Sequence, residues 1–153
     1  MTVTLEPVAV VVGGRKEAED DDWDKERAVI ALDETRFTSE AIAGLDAFSH
    51  IEVVFHFHQV DEGKVQFSAR HPRGNTDWPK IGIFAQRGKG RPNRIGVTVC
   101  RLINIDGTRI EVAGLDAIDG TPILDIKPYM RDFAPRGETR EPEWAGELMA
   151  GYW

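Results

Sequence analysis

The chain has 153 residues, 41% hydrophobic and 29% charged, with a formal net charge of −7. That length supports one domain around one hydrophobic core, and no apolar run approaches the ~18 residues that a membrane-spanning helix requires. The single cysteine, Cys100, excludes an intramolecular disulfide, and so acidic a chain suits a nucleic-acid partner only if its cations are gathered in one place.

The opening MTVTLEPVAVVVGG lacks the basic flank and long apolar stretch of a secretory signal, which predicts a cytoplasmic protein, and Leu5 to Val12 reads as its first strand. Glu17 to Glu26 follows with seven acids against Lys25, an expected mobile loop. Ala28 to Leu32 is a further strand candidate. Thr38 or Ser39 can cap a helix through Phe48, with Ala41, Ile42, Leu45 and Phe48 on one face. Ile51, Val53, Phe55 and Phe57 then alternate with Glu52, Val54, His56 and His58 as a half-buried strand should.

Part of a cupin metal pattern is present in His56-x-His58-x-x-x-Glu62, with His71 further on, but that pattern expects glycine where His50 and Ala69 stand. Hydrogen-bonded histidines on a strand are the plainer reading, and no metal is expected.

Seven cations lie between Arg70 and Arg94 (Arg70, Arg73, Lys80, Arg87, Lys89, Arg91 and Arg94) against Asp77 alone. Val65 to Arg70, Ile81 to Ala85, Ile95 to Ile103, Arg109 to Leu115 and the shorter Ile123 to Ile126 are the remaining strand candidates. Asp106-Gly107 between two alternating runs predicts a hairpin, and Cys100 on such a run is expected to be a small buried hydrophobe. Glu141-Pro142-Glu143 opens a predicted C-terminal helix that carries Trp144 and Leu148 and ends at Gly151. The sum is a mostly β chain, a single antiparallel β-barrel of about six to seven strands with one or two short helices. Its core is expected over about 3–130, with 131–153 as an extension. No G-x-G-x-x-G follows an early strand, so the common dinucleotide fold lacks its fingerprint.

Two segments stand out, GIFAQRGKGRPNRIG at 82–96 and GLDAIDGTPILDIKPY at 114–129. Each sets glycine, proline, charged and amide residues between short apolar runs, as a backbone-lined pocket between strands requires. Asp119-Gly120 alone reads as a hairpin turn, and Asp125 with Lys127, at i, i+2 spacing, as an exposed ion pair.

Together the two segments resemble the TsaA-like family, the β-barrel tRNA methyltransferase O enzymes, in a short form without their C-terminal domain. The resemblance implies S-adenosylmethionine as methyl donor and an acceptor on tRNA: the exocyclic amine of a threonylcarbamoyl-modified adenosine beside the anticodon. It also implies a homodimer with the donor near the subunit interface. The implied donor-binding residues are Phe84, Arg87, Arg91, Asn93, Ile95, Leu115, Asp116, Asp119, Thr121, Asp125, Lys127 and Tyr129. Arg73, Trp78, Lys89 and Arg94 are expected to meet RNA, with Trp78 as a platform for an unstacked base. An exocyclic amine is a poor nucleophile, so a carboxylate or neutral imidazole within reach is useful, and Asp116, Asp119 and His58 are the candidates. The chain departs from the family at Gly88-Lys89, where Ser-Pro is usual, at Arg94, where proline is usual, and at Trp23 to Glu26, where Pro-Arg-Gln is common. Other expectations are a different acceptor, another RNA or a small molecule; a sensor that binds the donor without turnover; and a cupin-like metal enzyme.

Overall fold

Alternation decides which strands close the sheet. In β3 (His50–His56) the inward residues Ile51, Val53 and Phe55 are buried to 1% exposure or less, while His50, Glu52, Val54 and His56 face outward. The computed structural model describes residues 1–153. It forms a closed antiparallel barrel in the order β1 (Ala9–Val12), β2 (Arg27–Leu32), β7 (Arg109–Ala113), β6 (Ile95–Asp106), β3 and β8 (Pro122–Pro128), with β8 returning to β1. Val11, Ile30, Ile51, Ile110, Val112 and Ile123 are almost wholly enclosed inside it. One α-helix, α1 (Glu143–Met149), lies near the C-terminus. No helix is long and apolar enough to cross a membrane.

Several elements differ from the sequence expectation. The first strand is only Ala9–Val12, paired with β2 from Ala9↔Leu32 to Val12↔Val29, and Leu5 to Pro7 lie outside the sheet. The predicted helix over 38–48 is instead two 3-10 turns, Ser39–Ile42 and Leu45–Ala47, parted by Gly44 at φ 87°. Their apolar residues plug one end of the barrel, where Leu45 joins the core and Phe37 and Ile42 pack against it. The β6–β7 hairpin forms as expected, with Gly107 at φ 61° in the turn.

Residues 57–94 leave the barrel between β3 and β6, which are nevertheless neighbours in seven-pair register, His50↔Arg101 to His56↔Ile95. The excursion has its own sheet, β4 (Ala69–Arg70) with β5 (Ile81–Gly82), far shorter than predicted because each strand has only the other as partner. Eight basic residues against three acidic make the excursion net +5, so the rest of the chain carries −12.

The acidic run is not a free loop. Arg15 donates to the carbonyls of Asp21 at 2.8 Å and Asp22 at 3.0 Å and pairs with Glu26 at 3.1 Å. Its guanidinium lies 3.9 Å from the centre of the Trp23 ring, itself 4% exposed. Arg15, stacked on a buried indole, gathers the middle of the segment around itself, while Arg73 pairs with Asp20 and Asp21 and Arg101 with Asp24.

Cys100 is 2% exposed and points into the barrel, where burial, helped by the nearby Asp116 charge, pushes its thiol up to about 12. At pH 8 the thiolate fraction at about 12 is roughly one in ten thousand. An aromatic disulfide reagent at that pH is expected to leave the folded protein unlabelled and to release one equivalent after unfolding; rapid stoichiometric release from folded protein contradicts this placement.

Candidate active site

Because the barrel is antiparallel throughout, its connections fall at two ends. One end collects the segment from β1 to β2 (13–26), the excursion (57–94) and the segment from β7 to β8 (114–121). Most of the residues expected to work together are at this mouth.

Asp116 is its centre. One carboxylate oxygen accepts from the Thr98 hydroxyl of β6 and the other from the Tyr152 hydroxyl. Thr98 is 8% exposed, so its hydroxyl has little access to water and depends on this partner. Burial first, and then the charge and hydrogen bond of Asp116, hold the Tyr152 phenol far above its ordinary range, with Arg87 opposing. Tyr152 therefore stays a donor, and the carboxylate is fixed by two hydroxyls that orient it without neutralising it.

Tyr152 arrives on a strap after α1. The Asp22 and Trp23 amides donate to the carbonyls of Gly151 and Tyr152 at 3.0 and 2.9 Å, and the Trp78 indole N–H donates to Glu147 at 2.8 Å. The strap and the folded acidic segment thus meet beside the mouth.

Asp119 serves the frame: its carboxylate accepts from the Gly13 amide at 2.8 Å and its amide donates to the Arg15 carbonyl at 2.7 Å. His58 lies against the same turn, its Nε2 3.7 Å from where a Cβ on Gly120 would stand. Thr121 and Leu115 are each 2% exposed and form the floor. Arg87 donates to the Val97 carbonyl at 2.8 Å and Arg91 to the Gln86 carbonyl at 2.7 Å, which fixes the 86–91 loop across the start of β6. Asn93 is exposed at φ 63° and Arg94 adopts φ 51°, a conformation closed to the proline usual at that position. The Arg94 guanidinium reaches the Val60 carbonyl at 2.6 Å, and Ile95 begins β6 beside it.

Other expected residues lie elsewhere or are already engaged. Asp125 and Lys127 pair with each other at 2.8 Å on the outer face, opposite Val54 and Glu52, and the Tyr129 amide bonds the His50 carbonyl toward the far end. Arg73 is held by Asp21 at 3.2 Å and Asp20 at 3.8 Å. Trp78 is half-buried and tied to Glu147, whereas Phe84 is 79% exposed and Lys89 is also exposed. His56 has its pKa lowered by burial first and then by Arg94 and His58, and no group of three or more His, Cys, Asp or Glu gathers as a metal site would need. Sequence reasoning missed Thr98 and Tyr152; the one available signal was an aromatic pair, Tyr152-Trp153, just past the helix-ending Gly151.

The profile of the tRNA-methyltransferase O N-terminal domain matches residues 19–134. Over 93 residues the chain is 39% identical to the tRNA (adenine(37)-N6)-methyltransferase of Mus musculus, covering 61% of this chain and 21% of that protein. Against the Escherichia coli protein of that name it is 41% identical over 98 residues, 60% of this chain and 40% of the relative. A probable S-adenosyl-L-methionine-binding protein of Pyrococcus abyssi is 37% identical over 102 residues, 67% of this chain and 53% of the relative. The crystal structure of TrmO from Pseudomonas aeruginosa superposes with a TM-score of 0.73 at 29% identity, covering 92% of this chain and 62% of that one. The chain thus spans about a fifth to a half of the length of these curated relatives.

Proposed function

The chain belongs to the tRNA-methyltransferase O N-terminal domain family, and on that footing we propose that it is an S-adenosylmethionine-dependent methyltransferase of tRNA. Its acceptor is the exocyclic amine of a threonylcarbamoyl-modified adenosine next to the anticodon, and its place is the cytoplasm, as a homodimer. The observation that carries this reading is the Asp116 carboxylate, half-buried at the barrel mouth and fixed by Thr98 and Tyr152.

The residues at the mouth fit the donor. Its ammonium and hydroxyl groups need acceptors, its carboxylate needs donors and its adenine needs an apolar wall. Asp116 supplies the first, Arg87, with Asn93 on the neighbouring turn, the second, and Ile95 with Leu115 the third. Gly120, lacking a side chain, leaves His58 access to the turn. When bound, the donor supplies an electrophilic methyl group. The residues then have to align the two reactants and keep water out. The strap with Tyr152 and the buried Trp23 shelter the mouth, and Asp116, with lone pairs left beyond its two hydroxyl donors, accepts the proton that the amine sheds. His58 is the second candidate for that proton. Exposed Val97 and Val99 on the outer face of β6, beside Val54 of β3, support self-association.

The test is transfer of a labelled methyl group to tRNA from a strain lacking this modification. Incorporation into that tRNA, and none into tRNA already methylated, is the expected result. A donor-dependent rise in melting temperature without transfer moves the reading to another acceptor or to a sensor. The folded acidic segment favours that alternative in one respect, since it occupies Arg73, an expected phosphate contact.

A further inference from the structure

The open end of the β4–β5 sheet carries two phenylalanines that nothing covers. Ala69 pairs with Gly82, and one step further the Ile83 amide donates to the Ser68 carbonyl at 2.8 Å. Just beyond that bond lie Phe67, before Ser68, and Phe84, in the 3-10 turn Ile83–Ala85; they are 80% and 79% exposed, among the most exposed large apolar side chains of the molecule. Two rings left in water forgo the stabilisation that burial would give them, so their position calls for a partner.

The surroundings say which kind. None of Arg70, Lys80, Arg87, Lys89, Arg91 and Arg94 pairs with a carboxylate. Arg70 ends β4, three residues after Phe67, with its Nε buried and without a hydrogen-bond partner. Its guanidinium is pressed so close to Gly88 that a Cβ there would lie 2.5 Å from Nη2. Glycine at 88 is thus what lets a cation stand against this loop. A second copy of the chain is a poor occupant, because a two-fold contact through this patch would oppose one excursion of net charge +5 to another. Unpaired bases of RNA are a good one: each offers a π-face to a ring and carries a phosphate to a cation.

We propose that Phe67 and Phe84 are a stacking platform for unpaired bases of a single-stranded RNA loop, with Arg70 and Lys89 on the flanking phosphates. This deepens the tRNA reading and rests on it. Trp78, the platform expected from sequence, is instead a structural tie to the strap, and Phe84 serves the acceptor rather than the donor's adenine.

The test is fluorescence anisotropy of a labelled anticodon stem-loop across a salt series, with the intact protein and Phe67→Ala, Phe84→Ala and Arg70→Gln variants. Each Phe→Ala change is expected to weaken binding roughly tenfold with an unchanged salt slope, and Phe67→Trp to keep the affinity. Arg70→Gln is expected to flatten the slope of log affinity against log salt by about 0.7. Native protein that binds the stem-loop while both alanine variants bind equally well overturns the platform and leaves the tRNA reading standing. No binding by the native protein overturns both. If Phe84→Ala abolishes the donor-dependent rise in melting temperature, or if light scattering shows that either variant loses a dimer, the rings belong to another site and the proposal fails.

Discussion

Replacing Asp116 with alanine is expected to lower the single-turnover rate of methyl transfer by about 100-fold or more, the usual effect of removing a group that takes a proton in the transition state. The change does more than delete a charge. It leaves the enclosed Thr98 hydroxyl and the Tyr152 phenol without their shared acceptor, and each orphaned hydroxyl costs about 1–3 kcal/mol where water cannot replace the partner. Stability should therefore fall with activity, and a rate measured well below the melting transition separates the two. Tyr152→Phe is the milder probe: Asp116 keeps its Thr98 bond, the ring still fills its place, and transfer should drop only about tenfold, the value of one hydrogen bond to a charged group. The tyrosine change should spare donor-induced stabilisation more than the aspartate change. If Asp116→Ala transfers methyl groups at the native rate, the carboxylate has no part in the chemistry proposed for it.

Gly96→Ala should cost about 2–3 kcal/mol of stability, the upper part of the range for overpacking a filled core. Gly96 is the register partner of Phe55, and a Cβ there would lie 2.6 Å from two atoms of the Phe55 ring and 2.9 Å from Phe57. Phe55 is 1% exposed and meets Phe57 edge-on at 5.3 Å between centroids, so the Phe55 ring has no empty direction in which to retreat. For a chain of this size the loss corresponds to a melting temperature lower by roughly 5–10 °C. Phe55→Leu removes the ring edge that the new methyl would strike, so the double variant should recover at least about 1 kcal/mol relative to the sum of the two single changes. Thermal melts of the four proteins check this, and additive losses would locate the strain elsewhere.

The barrel strands were legible because a surface with water on one side and a core on the other leaves a period of two, plain in Ile51, Val53 and Phe55. The helix predicted over 38–48 failed because its apolar spacing serves a plug for the barrel end, and Gly44 turns the chain left-handed in the middle of it. The acidic run was misread because composition counts charges and not partners. Three arginines outside the run hold it, Arg15 stacked on Trp23 and bonded to Glu26, Arg73 on Asp20 and Asp21, and Arg101 on Asp24. At the site, Asp116 belongs to a segment whose residue pattern is itself unusual. Thr98 looks like any inward strand residue, and Tyr152 meets the carboxylate from 36 positions away, so neither leaves a local signal.

The long excursion between two adjacent strands bears on how this molecule folds and how it can change. β3 and β6 form one hairpin whose connection runs to 38 residues, and closing a loop of that length costs only about 2 kcal/mol more than closing one of four. Seven register pairs and the enclosed core stand against that increment. The barrel can therefore close before the excursion has settled, and the excursion can gain, lose or recharge residues over generations without asking the barrel to repack. A change in the RNA partner proposed for it is in this sense a loop-sized event.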